Sequence, residues 1–527
     1  MDASLPASEA IAPAITIGAN FEGSDLSASG GSIPPDTNGA IGPGHFVELL
    51  NGIYRVYDKS GDVLQQQTLP DFWSSAGVTP ASPFDPRVAY DPQDQRWFAT
   101  SADNQAPPSR ILLAISNTAD PTEGWQAVAI PGDTERWFDF PTLGLNEQGI
   151  FLASRYIDNT PDDPPKPNIA LVALPKSDLL AAKPTSDGAT FLDVFSSATG
   201  STVQPAVAPQ SSGPEPLLSM FGSPEPPGFS TVLKDSLLVG PVTGPTLDTD
   251  GRIISVPPFQ NPSRAAQDGT AIAISTGDAG FSSSVVMQGD RLFAVHTSES
   301  EDGGPELRWV VIGDPTGSPV LLDTGSIHPA GLDAYFGSIA VNPLGQAVIG
   351  FTGSGPGVFP SAYAVAGMLD RDDLEFGDPI LLKAGVAAYL PGDGRWGDYS
   401  ATTYDPADAT HFWTIQEWAS GEFAWSTQIA EIIFGAEPEP PSPPFDWEAL
   451  ATRVFAYFER TGQWGLIDEW LSDAPPDQAL AEPTVDWDAL GSRVTAYFDA
   501  TGQWGLLDDW LAGNPPDNGP TDYLLLG

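Results

Sequence analysis

Short strings along this chain gather the residue types that handle sugars and hard cations. Asp36 and Asn38 stand in Pro34-Pro-Asp-Thr-Asn-Gly39, and Asp85 and Arg87 in Asp85-Pro-Arg-Val88. Asp139 opens Asp139-Phe-Pro-Thr-Leu-Gly144, and Tyr335 opens Tyr335-Phe-Gly-Ser-Ile-Ala-Val341. Arg395, Trp396, Asp398 and Tyr399 crowd into Arg395-Trp-Gly-Asp-Tyr-Ser400. Two carboxyl groups flanking a glycosidic bond are the working parts of most glycoside hydrolases, one protonating the leaving oxygen and the other activating water or attacking carbon. Arginine forks grip the carboxylate of an acidic sugar, and oxygen-only donors such as Asp36 and Asn38 suit calcium. The candidate ligand-binding set is therefore Asp85, Arg87, Asp139, Tyr335, Arg395, Trp396, Asp398 and Tyr399. Asp36 and Asn38 are the candidate metal ligands, with calcium as the ion they would take. A structural role is equally open, because an aspartate ahead of a strand often holds a neighbour's backbone amides and an arginine then pairs with it.

Other chemistries find less support. Sialidase chemistry wants three arginines and a tyrosine nucleophile with its glutamate; Arg87, Arg395, Arg155 and Tyr399 are available, but no string supplies the glutamate. A lyase base would come from His45, His296, His328 or His411, of which His328, ahead of Pro329, is best placed in a loop. Phosphate-binding, zinc-protease and nucleophile-elbow motifs are absent from the sequence. With zero cysteines, disulfides and thiolate chemistry are excluded. Asp248-Thr-Asp-Gly251 has a calcium-loop flavour but reads better as a hairpin turn.

These residues must be positioned by many short strands. Gly and Pro number 54 each, with no period-three glycine, and 41% of the chain is apolar. Four segments repeat one grammar of strand, polar turn and aromatic return strand: from Asp85 to Phe98, Asp139 to Phe151, Tyr335 to Val348 and Asp398 to Trp413. Weaker copies lie at 45–63, 216–256 and 284–313. About seven such units predict an all-β chain folded as a β-propeller of about seven blades. Residues just before each innermost strand would then ring one mouth of the central channel. Asp91 and Asp405, in Asp-Pro turns, are expected to tie hairpins together.

Charge narrows the partners. Asp and Glu total 69 against 21 Lys and Arg, for a net charge of −48. Such a field repels nucleic acid and anionic membranes, and no apolar run is long enough to span a bilayer. Residues 1–20 lack a basic stretch followed by an apolar one, so an exported chain is expected to have shed its signal.

The strings Pro34-Pro-Asp-Thr-Asn-Gly-Ala-Ile-Gly-Pro43, Asp139-Phe-Pro-Thr-Leu-Gly144, Phe336-Gly-Ser-Ile-Ala-Val341 and Arg395-Trp-Gly-Asp-Tyr-Ser400 resemble, in order, signatures of a family of exported bacterial β-propellers of largely unknown function, loosely sialidase-like. The resemblance covers residues 33–434 and implies an exported propeller with no activity to carry over. Family members often place cysteine pairs in loops, and this chain departs from them there.

The domain reading is an N-terminal segment at 1–32, the propeller at 33–435, a proline-rich linker at 436–445, helical repeats at 446–473 and 486–513 joined by a linker at 474–485, and a tail at 514–527. The repeats match at an offset of 40 residues: Asp446-Trp447 with Asp486-Trp487, and Thr461-Gly-Gln-Trp-Gly465 with Thr501-Gly-Gln-Trp-Gly505. Leu450, Val454, Tyr457 and Phe458 share one helical face, so each repeat predicts a small helical hairpin. Two functions stand. One is an extracellular propeller binding a polysaccharide or cell-surface protein at its channel mouth, with the repeats docking a partner or retaining it at the surface. The other is a glycan-active enzyme, hydrolase or lyase, working through Asp85, Asp139 and Asp398.

Overall fold

The computed structural model describes residues 14–158, 166–222 and 229–435; the hairpins expected at 446–473 and 486–513 lie outside the described residues. The described chain is mostly strand, wound into successive antiparallel meanders. Their innermost strands are Asn38–Ile41, Pro83–Asp91, Trp137–Leu145, Ser201–Val207, Val285–Gln288, Asp333–Val341 and Ala401–Tyr404. Each lies against the next and the last returns to the first, so the meanders close a ring about a central channel, the arrangement of a β-propeller.

The packing follows from side-chain alternation. A strand turns successive residues to opposite faces, and here both faces of a sheet are covered by neighbouring sheets. Val47, Leu49, Tyr54 and Val56 pack with Val88, Tyr90 and Trp97 of the next meander. Their alternates Phe46, Leu50, Ile53 and Tyr57 pack with Trp413, Ile415 and Trp425 of the last one. Strands such as Arg110–Ser116 therefore read as continuous apolar runs rather than as alternating ones. Gly350 marks a close approach between two sheets, because a Cβ there would meet the Thr414 hydroxyl and the Gln416 amide.

Residues 1–32, expected as a separate segment, instead supply Ile15–Asp25 as the outermost strand of the last sheet, antiparallel to Ala424–Phe434. Glu48 locks this closure. Its buried carboxylate accepts from Ser24 N (3.0 Å), Ser24 Oγ (2.6 Å), Tyr57 Oη (2.7 Å) and Thr427 Oγ1 (2.6 Å), joining the first strand, the first meander and the last. A buried carboxylate is tolerable only when its lone pairs are met this fully.

One irregular stretch matters for the site. Between Ile253–Phe259 and Val285–Gln288 the chain crosses to the last two meanders. Ala265 bridges Ile274, Ser275 N donates to Gly394 O (2.8 Å), and Gln267 holds the backbone of Tyr389 from both sides.

Candidate functional site

The site begins with a backbone feature. Asp85, Phe140, Thr202 and Phe336 all have positive φ (50°, 53°, 49° and 52°), and each begins a two-residue β-bulge near the start of an innermost strand. Asp36, two residues ahead of its own innermost strand, has φ 50°. Left-handed backbone costs a non-glycine residue about 1–2 kcal/mol. A bulge unpairs the ladder locally and re-aims side chains. Pro86 and Pro141 fill the second bulge position, where the missing N–H forfeits no ladder bond.

Asp36, Asp85, Asp398 and Arg395 come together at this end of the channel. Asn51 Nδ2 donates to Asp36 Oδ2 (2.6 Å), Asp85 N donates to Asn51 Oδ1 (2.9 Å), and Phe140 N donates to Asp85 Oδ2 (2.9 Å), a relay across three neighbouring meanders. Asp36 Oδ1 is buried without a hydrogen-bond partner among the described residues, and the charges of Asp85 and Asp398 bear on it. Burial, with the charges of Asp85 and Asp398, holds Asp36 far above the carboxylate range. Burial, with Asp139 and Asp398, pushes Asp85 up to about 6 against the pull of neighbouring Asp36 and of the bond from the Phe140 amide. Asp398 is clasped by both Arg395 Nη atoms at 2.6 and 2.7 Å.

Arg87 lies beneath them, 1% exposed. Its Nε donates to Pro141 O (2.8 Å) and its Nη2 to Ser282 O (3.0 Å). The guanidinium carbon sits 4.0 Å from the Tyr399 ring centroid and 4.9 Å from that of Phe140, a cation–π sandwich. Tyr399 Oη donates to Pro86 O (3.1 Å). Asp139 pairs with Arg155 at 2.6 Å on the rim.

The remaining candidates sit elsewhere. Tyr335 is fully buried and its hydroxyl donates to Ser354 Oγ (3.0 Å). Trp396 is fully buried edge-on to Tyr389, ring centroids 4.7 Å apart. Asn38 Oδ1 accepts from Val88 N (2.8 Å), tying two innermost strands. Among the described residues no group of three or more Asp, Glu or His is placed to hold a metal ion. Asp91 closes its own turn by accepting from Gln93 N (2.9 Å) and pairs with buried Lys176, and Asp405 accepts from Ala407 N (2.8 Å). His328 is exposed on its loop.

Beside the carboxylates opens a cavity of about 410 Å³, lined by Phe140, Phe336, Arg155, Asn168, Asp278 and Asp398 among others. Phe140, Phe336 and Asp278 are not among the residues the strings single out. The signal for the first two was a register. Phe140-Pro141 stands where Asp85-Pro86 does, and Phe336-Gly337 follows suit, so Asp139 and Tyr335 fall one residue short of the bulge. Asp278 belongs to the irregular crossing, which carries no repeat signal.

No protein-family model matches the chain, and no curated protein matches it in sequence. Among solved structures it is similar to polysaccharide lyase Uly1 (8% identity, TM-score 0.41, covering 76% of this chain and 90% of that one). A Hadza microbial sialidase follows at 9% identity and TM-score 0.35, covering 73% of each chain. An α-L-arabinofuranosidase of Fusarium graminearum, in complex with an iminosugar inhibitor, stands at 11% and 0.35, covering 79% of this chain and 98% of that one. Scores at this level leave the fold and the site to the geometry above.

Proposed function

We propose that this protein is an extracellular β-propeller of seven blades that binds a glycan in the cavity at its channel mouth. The seven innermost strands that follow one another around the ring support that blade number. The observation that carries the binding reading is the make-up of the cavity. Phe140, half-buried, lines it from an innermost strand, buried Phe336 edges it, and Asn168, Thr276 and Ser282 add polar groups from connecting segments. A concave site with apolar walls and a few fixed polar groups suits a small, hydroxyl-rich ligand. The nearby carboxylates are already engaged by Asn51, the Phe140 amide, Arg395 and Arg155, as a scaffold would have them.

The test is a glycan-array screen followed by titration calorimetry on any hit. Phe140→Leu keeps apolar volume while losing the aromatic face, and should weaken binding about tenfold or more, base or sugar stacking on aromatics being worth roughly 1–3 kcal/mol. Unchanged affinity in a Phe140→Leu protein of normal thermal stability would remove the ligand from this cavity.

One feature favours turnover as a second reading: at the channel mouth, beside Asp36 and Asp398, burial pushes Asp85 up to about 6, toward the range of a general acid. Release of reducing ends from the bound glycan, abolished by Asp85→Asn with binding retained, would establish it. Binding without product over a long incubation would leave the protein a lectin-like binder.

A further inference from the structure

The charges around the cavity are unequally committed. Arg155 is the basic residue on its wall, and it is paired with Asp139 at 2.6 Å. Arg87 is buried against Phe140 and Tyr399 and stays off the wall. Arg395 gives both Nη atoms to Asp398. The arginines near the mouth are thus occupied. Asp278, by contrast, is exposed on the wall, accepts a hydrogen bond from its own turn at Gly280 N (2.8 Å), and has no ion-pair partner among the described residues. Asp398 adds a second carboxylate on the same wall.

We propose that the sugar seated in this cavity is an amino sugar with a free amine, its ammonium on Asp278 and its ring against Phe140. This rests on the glycan-binding reading above and names its ligand class. An ammonium has three donors and no acceptor, which matches the exposed carboxylate of Asp278 on this wall. A uronic acid would meet an unpaired carboxylate with no arginine released to receive it. The chain's net charge of −48 acts in the same direction, drawing cations toward the mouth and repelling acidic polymers.

Calorimetry against three probes of equal length tests this at slightly acid pH and fixed ionic strength: a glucosamine oligomer, its fully N-acetylated form and a galacturonate oligomer. The glucosamine oligomer should bind about fivefold more tightly than the N-acetylated one, the scale of an exposed ion pair, and the galacturonate oligomer most weakly. Asp278→Asn should bring the first ratio close to one while leaving affinity for the N-acetylated oligomer unchanged. Asp290→Asn removes the same charge from an exposed hairpin beside the far end of the channel and should leave the ratio intact. Equal affinities in the wild type, a preference for galacturonate, or a ratio that survives Asp278→Asn would each overturn the assignment. If the N-acetylated oligomer binds without a charge preference, this inference falls and the glycan reading stands; if none of the three binds, both fall.

Discussion

The two ends of the channel are built from the same strands and differ in almost every other respect. At the mouth, Asp36, Asp85, Phe140, Thr202 and Phe336 sit in left-handed backbone, and Asp36, Asp85, Asp398, Arg395 and Arg87 crowd their charges together. At the far end, innermost strands run on undistorted and touch through parallel bridges, Leu145 to Val207 and Ala206 to Val285. The cavity there, about 310 Å³, has no Asp, Glu, Lys, Arg or His on its wall. Between the ends, Ser283, Ser338, Ser400 and Thr402 exchange hydroxyl bonds from strand to strand. One end is thus closed by ordinary sheet geometry, and the other concentrates strain and unlike charge. Strain of this kind persists only where the surroundings over-determine it, and it clusters at working sites. The contrast is what directs attention to the mouth.

The largest expected effect comes from removing the buried cation under the mouth. Arg87→Met should lower unfolding stability by about 3–5 kcal/mol, because it strands Pro141 O and Ser282 O and leaves the carboxylates without their buried positive neighbour. Ser338→Ala, in the hydroxyl bridge below, should lose only about 1 kcal/mol. Urea melts of the two variants that agree within error would erase the contrast between mouth and channel.

Next in size is a pH effect. Asp85 binds its proton more tightly folded, at about 6, than unfolded, at its ordinary 3.8. Its contribution is fully present below the unfolded value and is lost as pH rises through the folded one. Asp85→Asn should therefore flatten the fall in stability between its unfolded value of 3.8 and its folded value of about 6 by on the order of 2 kcal/mol. Chemical denaturation at several pH values measures this, and an unchanged slope would mean that folding does not raise Asp85.

The smallest effect concerns backbone. Thr202 is β-branched at φ 49°, so Thr202→Gly should leave stability unchanged or raise it by up to about 1 kcal/mol. A clear loss, seen as a lower melting temperature, would show that its side chain contributes more than its conformation costs.

Much of the site was legible in the strings. Asp36, Asp85, Arg87, Arg395, Asp398 and Tyr399 were named from residue type and repeat position, and the ring brings them to one end. Tyr335 and Trp396 were named on the same grounds, yet they face the packing between blades. The difference is one of register. A two-residue bulge shifts which side chain is aimed inward, and nothing local in Asp139-Phe or Tyr335-Phe says which member of the pair takes positive φ. Asn38 had the right chemistry for a cation but is used by the Val88 amide, a partner fifty residues away.

By itself the sequence determined the class of fold, because repeated strand-turn-strand units with apolar runs on both faces have to stack on one another to be buried. It also determined the acidic field and the presence of carboxylates and arginines ahead of the innermost strands. Tertiary structure decided what those groups are free to do. Ring closure by Ile15–Asp25 brings the first and last meanders together. That sets Asp398 near Asp36 and Asp85, so that its charge raises both. The irregular crossing of residues 260–284 places Asp278 on the cavity wall without an ion-pair partner among the described residues. These are contacts across hundreds of residues, set by which surfaces meet, and local spacing carries no record of them.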